Sequence, residues 1–84
     1  MQETREFRGI SKRLAVNYLK NLGGEATGDG RVEGDDWRAD LSAERVTVAG
    51  SIELTEVTVD FEGERAVLEP LVEDFARKAM RAGG

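Results

Sequence analysis

The sequence predicts an α+β fold: a two-layer sandwich in which two amphipathic helices flank a three-strand antiparallel meander, in the order αβββα. Three observations predict it. Apolar residues recur at three- and four-residue steps toward both ends of the chain, they alternate with polar residues in the middle, and glycine- or acid-rich turns separate the segments. Eighty-four residues make a single domain, residues 1–84, with one modest core and no room for an enclosed cleft backed by a second layer.

The first helix is read from Phe7, Ile10, Leu14, Ala15, Tyr18 and Leu22, which share one face while Lys12, Arg13, Asn17 and Lys20 fall elsewhere. Gly23-Gly24 stops it, and Lys20 suits its last turn. Phe7 and Tyr18 read as core residues. The stretch 25–36, EATGDGRVEGDD, has Val32 as its one large apolar residue and is expected to be a mobile loop. Its carboxylates Asp29, Glu33, Asp35 and Asp36 invite a metal, but counted from Asp29 the third position of a calcium-binding loop is Arg31, which offers no oxygen, and the twelfth is Asp40 in place of the bidentate Glu. No metal site is assigned, and Gly28, Gly30 and Gly34 miss the spacing of a dinucleotide-binding loop.

Period-two alternation then marks the strands: Trp37, Ala39 and Leu41 in the first, Val46 and Val48 in the second, with Ser42-Ala43-Glu44 as the turn between them. Ala49-Gly50-Ser51 turns into a third strand from Ile52 to Phe61. That strand changes parity, with Ile52 and Leu54 on one phase and Val57, Val59 and Phe61 on the other. Either a bulge near Thr55-Glu56 or a partner on the second face accounts for it. The second helix starts between Ala66 and Glu69, so that Pro70 falls in its first turn, and carries Val67, Leu68, Leu71, Val72, Phe75, Ala79 and Met80 at helical spacing. Leu14, Leu22, Trp37, Leu41, Val46, Val48, Val59, Leu71 and Phe75 are expected in the core, with Arg38, Asp40, Thr47 and Glu53 on the opposite face of the sheet.

Composition excludes several functions. The chain has neither cysteine nor histidine, which removes thiol nucleophiles, disulfides and the side chain that titrates nearest neutrality. No catalytic constellation of its own is assigned, so the chain is not read as an enzyme and no cofactor is expected. A net charge of −5 repels a nucleic-acid backbone. No apolar run approaches the ~20 residues that span a bilayer, and the N-terminus lacks a secretory signal. A cytoplasmic monomer is expected.

The chain reads Phe75-Ala76-Arg77-Lys78-Ala79-Met80-Arg81-Ala82-Gly83-Gly84 at its end. Glycine lacks a Cβ and lets the backbone enter a narrow cleft, which suits chemistry at the Gly84 carboxylate; glycine is equally the usual residue just past a helix end. With Arg81 ahead of Gly83-Gly84, the chain resembles ubiquitin-like modifiers and sulfur carriers, specifically haloarchaeal small archaeal modifier proteins and relatives of the molybdopterin synthase small subunit. Nine arginines against three lysines and the acidic balance resemble haloarchaeal proteins. Leu22-Gly23-Gly24, the Trp37 strand, Val57 through Gly63 and Phe75 through Gly84 resemble the small domain related to the C-terminal part of molybdopterin-synthase-small-subunit-like proteins.

The first resemblance implies an E1-like enzyme that adenylates Gly84, followed by thiocarboxylation or by joining to a lysine of a target protein. Gly83 is then the slender approach and Arg81 a docking charge, while Lys12, Lys20 and Lys78 are the side-chain amines available for self-conjugation. A ubiquitin-like β-grasp opens with a hairpin and sends its diglycine out from a final strand, whereas here the sequence pattern opens and closes with a helix. The alternative is a non-conjugated α+β binding module accessory to molybdenum-cofactor or sulfur-transfer proteins, with the glycines serving as a helix cap.

Overall fold

The computed structural model describes residues 1–83. Its elements are β1 (Gln2–Arg8), α1 (Lys12–Asn21), β2 (Glu25–Gly28), β3 (Arg31–Gly34), β4 (Trp37–Ala49), β5 (Ile52–Gly63) and α2 (Arg65–Gly83). The strands form one antiparallel sheet in the order β1-β5-β4-β3-β2. β2 to β5 are a meander and β1 pairs with the outer side of β5, so α1 carries the chain from one sheet edge to the other. The αβββα sandwich with a three-strand meander is therefore wrong in strand number and in its opening element.

The opening strand is separated from α1 by Gly9, whose φ of +89° breaks the backbone run, and by Ser11, whose hydroxyl accepts the Leu14 N–H at 3.0 Å as the N-cap. β1 is held by its ladder with β5, from Gln2 opposite Glu62 to Arg8 opposite Glu56. Its mostly charged side chains suit an exposed edge. The stretch 25–36 is not a loop: β2 and β3 turn at Gly30, where φ is +82°, and β3 ladders onto β4. Val32 alone supplies the core contact of this hairpin and is fully buried.

Ser42-Ala43-Glu44 is not a turn either, because β4 runs unbroken through it and pairs with β5 as far as Thr47 opposite Glu53. Side chains alternate faces along a strand, so the continuous run keeps Trp37, Ala39 and Leu41 under the helices and turns Val46 and Val48 to the other side. Val48 is 47% exposed and leaves the expected core, as does the half-buried Val46. The parity change in β5 is real, but no bulge sits at Thr55-Glu56. The register shifts between Thr47 and Ala49, and Ile52 and Leu54 face away from the helices. Thr47 and Glu53, placed with Arg38 and Asp40 by the sequence pattern, fall on the opposite phase.

Both helices lie on the face that carries Leu41, Val57, Val59 and Phe61. Leu19, Leu68 and Phe75 reach this core from the helices and are fully buried, a burial worth about 1.5–3 kcal/mol per large apolar side chain. Leu14 and Leu22 pack half-buried against it. Trp37 sits at the end of the sheet, where a Cβ on Gly24, Gly34 or Gly63 would collide with its indole or its backbone. These glycines make room for the largest side chain of the protein.

Candidate functional site

The C-terminal end of α2 is delivered by an anchored helix. Glu64 starts it, its carbonyl accepting the N–H groups of Val67 at 3.1 Å and Leu68 at 2.8 Å. Pro70 lies inside the helix rather than in its first turn, because α2 begins at Arg65. Leu68, Leu71, Val72, Phe75 and Ala79 form the buried stripe. Phe75 is its centre: its ring meets Phe7 at 4.9 Å, Phe61 at 5.7 Å and Tyr18 at 6.1 Å, all edge to face. The core assignments of Phe7 and Tyr18 agree with these contacts.

The stripe ends at Ala79. Met80, which helical spacing placed with the apolar residues, is 74% exposed, and Arg81 is exposed beside it. The spacing explains the miss: Ala79 follows Phe75 by four residues and stays in register with the stripe, whereas Met80 falls one position past it. α2 leaves the sheet end marked by Gly63 and returns along β5, with Phe75 over Phe7, which pairs with Val57. At 1.5 Å per residue its eighteen steps cover about 27 Å.

Charge along α2 suits the helix dipole only at its C-terminal end, for the first turn holds no acidic residue and opens on Arg65. Glu69, Glu73 and Asp74 occupy its middle, and Arg77 pairs with Glu73 at 3.6 Å and Asp74 at 3.3 Å. Lys78 Nζ stands 6.0 Å from the Tyr18 ring centroid, and Arg81 falls in the last turn, where a cation is favoured. Of the residues singled out in the sequence, Arg81 and Gly83 share that turn, Gly83 being the final helical residue. Gly84 lies outside the described residues. The three lysines do not cluster: Lys12 reaches Asp29 at 3.6 Å, Lys20 is exposed at the end of α1, and Lys78 rests against Tyr18.

The acidic residues of 25–36 are dispersed by the hairpin. Asp29 occupies the β2–β3 turn, Glu33 points outward from β3, and Asp36 takes φ +65° ahead of β4. Among the described residues no three carboxylates, or other metal-ligating side chains, come together. A surface hollow of about 420 Å³ lies between α1 and the β2–β3 turn, lined by Lys12, Arg13, Val16, Asn17 and Asp29 with glycine backbone. It lies on the side of α1 next to Gly30 of the β2–β3 turn, and no described residue of α2 lines it. No helix is long and apolar enough to cross a membrane among the described residues.

A search of curated proteins finds no match to this chain. The family model described as archaeal MoaD-like protein matches residues 3–84, which takes in all seven elements except Gln2 of β1 and runs through Arg81, Gly83 and Gly84. MoaD-like proteins commonly work with E1-like or sulfurtransferase partners. The chain belongs to the archaeal MoaD-like protein family, whose members are small proteins of the ubiquitin-like sulfur-carrier and modifier kind.

Proposed function

We propose that this protein is a sulfur carrier or protein modifier of the small archaeal modifier type, activated at the Gly84 carboxylate by an E1-like enzyme. The observation that carries the reading is the family match extending through Gly83-Gly84, together with the exposure of the helix end that leads into them. The carboxylate attacks the α-phosphorus of ATP and displaces pyrophosphate; hydrosulfide or the amine of a target lysine then displaces AMP from the acyl adenylate. The product is a thiocarboxylate in one case and an isopeptide bond in the other.

In this reading the chain is not itself an enzyme. The activating partner binds ATP and Mg²⁺, Gly83 passes the narrow approach, and Arg81 with the neighbouring Met80 docks against the partner. The reaction runs in the cytoplasm, with neither nucleic acid nor membrane involved. Expression of wild type, Gly84→Ala and a chain extended past Gly84 by one bulky residue, each with the host E1-like enzyme, tests it. Wild type is expected to yield thiocarboxylate mass or diglycine-remnant lysines, and the extended chain neither.

One observation favours a second reading. α2 runs through to Gly83, and the position just past a helix end is the one where glycine relieves it. A non-conjugated binding module, accessory to molybdenum-cofactor or sulfur-transfer proteins, would need the glycines for that purpose alone. In that case wild type forms no adduct, and removing Gly83-Gly84 lowers stability.

A further inference from the structure

We propose that the protein pairs with a second copy of itself through the free edge of β4, joining two five-stranded sheets across a two-fold axis at Val46. This replaces the monomer expected from the sequence and is independent of the chemistry proposed for Gly84. β3 covers β4 only from Trp37 to Asp40, and the Leu41 N–H closes that ladder on the Gly30 carbonyl at 2.7 Å. Groups on alternate residues of a strand point the same way, so the N–H and C=O of Ala43, Arg45 and Thr47 point to the same side as those of Leu41. Among the described residues they have no backbone partner. From Ser42 to Ala49 every residue is exposed except the half-buried Val46.

The side chains of this segment are self-complementary in one register. With Val46 opposite the second copy's Val46, Arg45 falls opposite the second copy's Thr47 and Glu44 opposite its Val48. Arg45 and Thr47 are both edge-pointing residues, so each such pair exchanges two backbone hydrogen bonds. The Val46 pair is of the close, non-hydrogen-bonded kind, with Cα atoms ~4.5 Å apart. Each Val46 already pairs with its own Leu54, with Val48 and Ile52 flanking on the same face. Val48, Ile52 and Leu54 are 47%, 59% and 37% exposed, on a sheet face that is otherwise charged, as in the Arg38–Glu62 ion pair. Pairing makes one continuous apolar row, Leu54 and Val46 followed by the second copy's Val46 and Leu54.

The other face supplies charge. Arg45 stands opposite Thr55, and Glu53 opposite Thr47, and neither charge makes an ion pair among the described residues. The register brings Arg45 to the second copy's Thr47 and hence two strand spacings, about 10 Å between backbones, from its Glu53, a span an arginine side chain bridges. The two-fold repeats the contact. Sliding one step along the edge sets Arg45 against Arg45; sliding the other way sets Arg45 against Ala49 at the register shift. That shift and the Gly50 turn, with φ +56°, end the strand, so the assembly closes as a dimer.

Analytical ultracentrifugation of the full chain tests the pairing together with single-cysteine cross-linking, which needs no background removal because the chain has no cysteine. Wild type is expected at twice the chain mass of 9.2 kDa, and Val46→Lys at half the wild-type value with unchanged circular dichroism. Under mild oxidation Val46→Cys is expected to form a covalent dimer much faster than Glu53→Cys, whose sulfurs the pairing keeps three strand spacings apart. A wild type that sediments as a monomer, a Val46→Lys variant that keeps the doubled mass, or equal oxidation rates for the two cysteine variants would overturn the proposal.

Discussion

Arg8 and Glu56 lock β1 to β5 at the root of the β4–β5 hairpin, with Nε 2.8 Å from the carboxylate and the Glu56 side chain only 10% exposed. The Arg8 hydrogen bond outweighs burial and holds the Glu56 carboxyl below its ordinary value of 4.5. A lowered folded-state pKa means that folding favours the ionised form. The stabilisation is thus complete above the ordinary value and is lost as pH falls through the lower folded one. Urea midpoints of wild type and Glu56→Gln, measured from neutral to acid pH, are expected to differ most near neutrality and to converge below pH 4.5. A gap that stays constant into acid would remove Glu56 as the source.

Trp37→Ala is expected to cost about 3–5 kcal/mol in urea unfolding, since it empties the space that three glycines keep open. Gly34→Ala is expected to cost about 1–3 kcal/mol through the collision of its methyl with the indole. Combining Gly34→Ala with Trp37→Phe should recover part of the loss. Additive losses would show that the glycine matters for its backbone and not for the indole.

Pro70 removes the hydrogen bond that its N–H would give to the Ala66 carbonyl, inside α2 and on an exposed side. Pro70→Ala restores that donor, and the gain is offset in part by the freer unfolded chain. The expected net stabilisation is about 1–2 kcal/mol, read as a raised thermal midpoint.

The parts of this fold that sequence pattern reveals are those whose apolar side chains outnumber their neighbours' demands. α2 is legible from Val67 to Ala79, and Trp37, Ala39, Leu41 and Val57, Val59, Phe61 are legible as one buried face. β1 carries a single large apolar residue, Phe7, and β2–β3 only Val32, so the backbone ladders that hold these strands leave almost no mark in the side chains. Ser42-Ala43-Glu44 has only Ser42 as a turn former and no glycine, proline or asparagine to force a reversal, so β4 runs through it. At the candidate site Arg81 and Gly83 are legible as motif residues. The exposure of Met80 depends on where the α2 stripe ends, which is set by Phe75 locking against Phe7 and Phe61.

A net charge of −5 on a compact chain repels itself, and salt screens that repulsion over about 10 Å at 0.1 M. The exposed pairs Arg31–Asp40 at 2.7 Å and Arg38–Glu62 at 2.9 Å are weakened by the same screening, but each is worth only about 0–1 kcal/mol. The thermal midpoint is expected to rise with KCl. A midpoint that falls would show that the ion pairs dominate the surface.

Intact mass spectrometry of the protein recovered from its host, with and without the E1-like enzyme, tests the central claim most directly. The account predicts a species in which sulfur replaces one oxygen of the Gly84 carboxylate, or Gly84 joined to lysine. Either must depend on the enzyme and be absent from a chain extended past Gly84, while unfolding midpoints stay unchanged by the extension. Unmodified protein under both conditions, with stability lost when Gly83-Gly84 is deleted, would contradict it.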